Sequence, residues 1–175
     1  GINVGDSMLV LARLALAGLS SLRVEAATLL EAVAILDKAC WKLCQGQYLD
    51  IAGEGKLDIS KDSYLQMIGA KTAALIAASA QLGALMADAG DRMEHYRQFG
   101  WQLGLAFQMV DDILGIWGDP ATTGKPAASD IASRKMTMPV IFALAASSES
   151  QELANLYGKN HLSGADVPRV IAILD

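Results

Sequence analysis

Apolar residues recur at helical spacing along most of this chain, and the few polar interruptions divide it into segments. Met8, Leu9, Leu11, Ala12, Leu14, Ala15, Leu16 and Leu19 leave almost no polar face, which predicts a helix covered by other helices or by a second subunit. After a break at Gly18 to Ser21, a long amphipathic helix is expected from Val24 to about Asp50, with Leu29, Leu30, Val33, Leu36, Ala39, Leu43 and Gln47 at helical spacing. The turn Ala52-Gly-Glu-Gly-Lys56 ends it. Leu57 to Ser60 reads as a connector, and Ser60 can cap a short helix from Lys61 to about Ala70. Another apolar helix is predicted from there to about Asp88, and a long one from about Arg92 to Ile116, ending at Trp117-Gly-Asp-Pro120. Ala121 to Asp130 has loop composition, and helices resume over Met136 to Ala146, Gln151 to Gly158 and from Ala165 onward. No segment alternates convincingly with period two and no internal repeat is visible, so the fold class is all-α.

Bulk properties narrow the reading only in part. The 175 residues suffice for one domain or part of one, and 53% of them are hydrophobic, which raises the question of membrane insertion. The most apolar stretch, Thr72 to Ala87, is bounded by Lys71 and Asp88 and falls short of the roughly 20 residues a span needs. Its small residues suit close helix packing, and stable membrane insertion is not expected. A net charge of −5 with no basic run argues against nucleic-acid binding. Cys40 and Cys44 share a helix face and read as reduced core thiols. With no signal peptide or lipidation motif in view, a cytoplasmic location is the default. Both ends run into apolar helical pattern without a start or stop signal, so residues 1–175 are expected to be a partial domain cut at each side.

Chemistry concentrates at Asp111-Asp112, two adjacent acids within Gly104-Leu-Ala-Phe-Gln-Met-Val-Asp-Asp-Ile-Leu-Gly115. A carboxylate in apolar surroundings is costly unless it is paired, hydrogen-bonded or bound to metal. On a helix, Gln108, Asp111, Asp112 and position 115 share one face, while Phe107, Met109, Val110, Ile113 and Leu114 surround them. A hard cation such as Mg2+ accepts such oxygens and bridges them to substrate phosphates. The combination fits a phosphorylated hydrocarbon, with metal and lysine for the head and an apolar tunnel for the tail.

The run Phe107-Gln108-Met109-Val110-Asp111-Asp112-Ile113-Leu114, followed by Gly118-Asp119 and Thr123-Gly124-Lys125, resembles the second aspartate-rich region of trans-isoprenyl diphosphate synthases. Gly46-Gln47-Tyr48-Leu49-Asp50 is similar to that family's Gly-Gln-x-x-Asp motif, and Lys71-Thr72 to its Lys-Thr pair. Asp130 and Lys135 resemble its acidic and basic positions after the loop. The resemblance implies a helical bundle around a central cavity, a homodimer, and Mg2+-dependent condensation of isopentenyl diphosphate with an allylic diphosphate. It further implies that Asp111 ligates Mg2+ with Asp112 supporting the hydrated ion. Lys71 and Lys125 would then hold the diphosphate, Lys135 would add positive charge, Thr72 and Gln108 would direct oxygen dipoles at the allylic cation, and Gln47 and Asp50 would orient the set.

The chain also departs from that pattern. Gly115 stands where the family's Asp-Asp-x-x-Asp has its last carboxylate, and the next acid, Asp119, one turn on, falls where the family generally carries an acid as well as its third aspartate. The family's first aspartate-rich motif is not in these residues. Taken alone they are expected to hold half of an active site and to turn over little or no substrate. A noncatalytic partner subunit and a terpene cyclase are the alternatives, although the Gly-Gln-x-x-Asp and Lys-Thr motifs point away from a cyclase.

Overall fold

The computed structural model describes residues 2–124 and 126–175, which form helices and turns with no strand among them. Helix α1 spans Ile2–Gly18, and α2 spans Ala26–Gly53. Ser60 caps α3 (Lys61–Ile68), its hydroxyl accepting from the Ser63 amide at 3.1 Å, and Asp62 adds a carboxylate to the positive end of the helix dipole. The sequence predicts a boundary near Ala70. Instead α3 continues through a π-helical turn, Gly69–Ala73, directly into α4 (Ala74–Met86). Helix α5 covers Met93–Trp117.

The segment after α5 is more ordered than its loop composition suggests. Asp119 accepts from the Ala121 amide at 3.1 Å, and Pro120 occupies the first turn, where its missing N–H costs nothing. Together they start a one-turn helix, α6 (Pro120–Thr123), and a second single turn, α7, spans Ser129–Ala132. Helices α8 (Met138–Ala146), α9 (Ser150–Tyr157) and α10 (Asp166–Leu174) complete the described chain.

Two kinds of packing position the site. Helix α4 lies between α2 and α5, and Ala73, Ala74, Ala77 and Ala78 are buried there. Small side chains let the three backbones approach closely. The other packing is a larger apolar cluster in which Tyr64, Ile68, Ile116, Ile131, Val140 and Leu153 pack with Tyr157, Val170 and Ile173. Each large aliphatic side chain buried there contributes about 1.5–3 kcal/mol of transfer free energy. This cluster clamps α3 and the end of α5 against α7–α10.

The amino-terminal helix is the exception. No residue of α1 is buried, and Met8, Leu11 and Leu14 are 66%, 61% and 61% exposed. The cover expected from the apolar pattern is therefore not provided by the described residues; Arg13 bonds Asp37 of α2 at 2.6 Å. By length and composition alone, Ile2–Leu22 and the continuous run Lys61–Met86 are long and apolar enough to cross a membrane, the second because the π-helical turn joins α3 to the stretch after Thr72. The second run is partly buried between other helices. Cys40 and Cys44 are free thiols, but Cys44 is exposed and so is not a core residue.

Candidate active site

Five segments bring the predicted residues together. Asp50 comes from the last turns of α2, Lys71 and Thr72 from the π-helical turn, Gln108, Asp111 and Asp112 from α5, Asp130 from α7, and Lys135 from the connection to α8. The turn bearing Lys71 is seated on Gly46. A methyl group at residue 46 would lie 2.6 Å from the Lys71 Cα, closer than packed atoms approach, so only glycine lets α2 and the π turn meet there. The first residue of the Gly-Gln-x-x-Asp run thus has a steric task.

From that turn the two side chains reach different neighbours. The Lys71 ammonium pairs with the Asp50 carboxylate, both groups being partly exposed. Thr72 Oγ1 donates to Gln108 Oε1 at 2.7 Å. Gln108 Nε2 donates to Asp112 Oδ1 at 3.1 Å and to Asp111 Oδ2 at a long 3.4 Å. The shared helix face predicted for these three is therefore a bonded one. Gln47 lies exposed on α2, outside this network, and Lys125 lies outside the described residues.

Asp112 is buried and has partners on every side. Besides Gln108, Tyr64 Oη donates to its Oδ2 at 2.5 Å, Lys135 Nζ to its Oδ1 at 3.0 Å, and the Met138 amide to its Oδ2 at 3.4 Å. Lys135 also bonds Asp130 Oδ2 at 3.2 Å. Burial works against the Lys135 ammonium, but the two carboxylates outweigh it and hold its pKa above the ordinary lysine value. Burial first, and then the bond to Asp112, push the Tyr64 phenol well above its usual value.

Position 115 is resolved sterically. A Cβ on Gly115 would lie 2.5 Å from the Asp130 carboxyl carbon, so that carboxylate fills the space a third aspartate side chain would need. Asp119 caps α6 and bonds Thr122 Oγ1 at 3.3 Å. Among the described residues no three His, Cys, Asp or Glu side chains are arranged to hold a metal ion. Carboxylate oxygens are hard ligands of the kind a divalent cation takes, with water and substrate phosphate completing its shell. Beside the network a cavity of about 520 Å3 is lined by Asp50, Lys56, Tyr64, Lys71 and Lys135 among others.

The apolar neighbours of the pair are less enclosed than expected. Phe107, Val110, Ile113 and Leu114 are exposed and only Met109 packs on the core, so the stripe is greasy but open on its outer side. Tyr64 and the Met138 amide did not stand out in the sequence. The available signal was a tyrosine two helical turns before Lys71 in an otherwise polar stretch, Lys61-Asp-Ser-Tyr64.

The sequence matches the polyprenyl synthetase family over residues 1–174. The chain belongs to that family. It is 42% identical to geranylgeranyl diphosphate synthase of Mycobacterium tuberculosis over 176 aligned positions, covering 99% of this chain and 49% of that enzyme. The crystal structure of polyprenyl synthetase from Streptomyces coelicolor superposes with a TM-score of 0.85 at 35% identity, over 99% of this chain and 52% of that one. A geranylgeranyl pyrophosphate synthase from Corynebacterium glutamicum, complexed with isoprenyl diphosphate and magnesium, matches at a TM-score of 0.76 and 31% identity, over 86% of this chain and 44% of its own. The chain thus spans about half the length of these relatives.

Proposed function

We propose that the protein carrying this chain is a prenyltransferase that condenses isopentenyl diphosphate with an allylic diphosphate, releasing diphosphate and forming a linear prenyl diphosphate. The observation that carries the reading is the bonded set Thr72, Gln108, Asp111, Asp112 and Lys135, with Lys71 lining the same cavity as Lys135, in a chain matched over residues 1–174 by the polyprenyl synthetase family. Mg2+ held by Asp111 would supply charge neutralisation to the departing diphosphate.

The chain's own residues prepare that departure. Lys71 presents a point charge from the edge of the cavity, while Asp50 keeps it extended until an anion competes for it. Lys135 is fixed by Asp112 and Asp130 and supplies constant positive charge, and Lys125 would add to it. Thr72 donates its proton to Gln108, so it can offer a ligand only oxygen lone pairs. That polarity suits an allylic carbocation. Gln108 has its amide orientation set at both ends, Oε1 toward Thr72 and Nε2 toward the carboxylates. The carbocation adds to the double bond of isopentenyl diphosphate, and the released diphosphate can take the proton, so no protein base is required.

The apolar face of α1 would be covered by a second copy of the protein, and the enzyme would act in the cytoplasm. The test of the reaction is product analysis. Incubation of the complete gene product with isopentenyl diphosphate and C5, C10 or C15 allylic primers should give linear prenyl diphosphates by mass spectrometry. Cyclic hydrocarbons would point to a cyclase. No product with any primer, together with stimulation of another synthase, would point to a noncatalytic subunit.

A further inference from the structure

Asp112 is the one buried charged side chain among the described residues, at 1% exposure. Its Oδ1 accepts from Gln108 and Lys135, and its Oδ2 from Tyr64 and the Met138 amide. A carboxylate offers about four lone-pair sites, and four donors already address them. A cation reaching Asp112 would have to displace one of these donors and approach the Lys135 ammonium at close range. Asp111 is next in sequence but lies on a partly exposed part of the helix face.

We propose that Asp112 is a positioning residue rather than a metal ligand, and that Tyr64 is its essential partner, fixing the carboxylate through which Lys135 and Gln108 are aimed. The reaction it serves rests on the function proposed above; the geometry does not. Four donors converge on this one carboxylate, three of them from outside its own helix: the phenol from α3, the lysine before α8 and the first backbone N–H of α8, joined by the Gln108 amide of α5 itself. Tyr64 is itself 1% exposed and packed in the apolar cluster, so its ring cannot swing aside. Without its hydroxyl, Oδ2 keeps only the long bond to Met138. The carboxylate can then rotate, Lys135 is left nearer to Asp130, and Gln108 loses the contact that fixes its far end.

The test compares Tyr64→Phe, Asp112→Asn and Asp111→Asn in the complete gene product. Mn2+ binding is followed by electron paramagnetic resonance with inorganic diphosphate present, and the Lys135 ammonium by nitrogen-15 lysine spectra. Asp111→Asn should weaken Mn2+ binding at least tenfold. Tyr64→Phe and Asp112→Asn should leave it within twofold of the parent while lowering kcat at least tenfold at saturating Mg2+ and substrate. In both, the Lys135 ammonium protons should exchange faster with water. The proposal is overturned if Asp112→Asn weakens Mn2+ binding as much as Asp111→Asn, or if Tyr64→Phe leaves kcat and the Lys135 signal unchanged. The two isosteric variants address opposite ends of one bond, so loss of either to misfolding leaves the other to decide. The metal and lysine readouts do not require turnover, so a protein without prenyl transfer would sink the proposed function while this question was still answered.

Discussion

Two of the lysines that line the site's cavity, Lys71 and Lys135, are about equally exposed but pair with carboxylates in different surroundings. Lys71 pairs with Asp50 where both side chains retain contact with water, at 31% and 22% exposure. Lys135 pairs with Asp112 and Asp130, which are 1% and 13% exposed. An ion pair with water at both ends is worth little net free energy and can exchange its partner. One with a buried member strands an uncompensated charge when broken. The contrast divides the site into a rim whose charge can move to a ligand and a floor whose charges cannot leave each other.

Perturbing the floor should do the most damage. Lys135→Gln removes the cation beside a buried carboxylate and should cost about 3–5 kcal/mol of stability, read from urea unfolding. Lys71→Gln should change stability by less than about 1 kcal/mol while weakening diphosphate binding. Equal effects in the unfolding curves would erase the distinction. Next in size is Asp111→Ala. It should add on the order of 3 kcal/mol to the barrier for turnover in the complete protein, roughly a hundredfold in kcat, because a charge-stabilising group is lost.

Gly46→Ala sharpens the comparison from the rim side. The new methyl group meets the Lys71 backbone, so the π turn must shift, at a cost of about 1–3 kcal/mol of overpacking seen in thermal melts. Diphosphate affinity should fall with it, since Lys71 moves. The smallest effect lies far from both regions. Lys159 and Ser163 hold the Asp166 carboxyl at about 2, below its ordinary 3.8. Its folded-state value is depressed, so its contribution is present above pH 3.8 and is lost as pH falls toward 2. The melting temperatures of the parent and Asp166→Asn should differ slightly at pH 5 and converge near pH 2.

Helical periodicity made α2, α5 and the all-α class legible, because apolar residues at three- and four-residue spacing have few other solutions. The bonded face of Gln108, Asp111 and Asp112 was equally readable, since helix geometry alone places those side chains together. The π turn was not. It depends on the close approach of α2 at Gly46, a tertiary contact that local spacing does not encode. Tyr64 escaped notice for the same reason: its partner Asp112 lies 48 residues away, and nothing near Tyr64 marks its hydroxyl as polar cargo in a core. Gly115 looked like a missing carboxylate, and only the fold shows that the Asp130 side chain fills its space. The apolar pattern of α1 predicted cover, which the described residues do not supply.

The central claim is that these residues serve metal-dependent prenyl transfer, and the most direct test is incorporation of labelled isopentenyl diphosphate into acid-labile product by the complete gene product. With an allylic primer and Mg2+, label should accumulate, stop on addition of a chelator and resume when Mg2+ is restored. Failure to incorporate label with C5, C10 and C15 primers at saturating Mg2+, from a protein shown to be folded, would contradict the account.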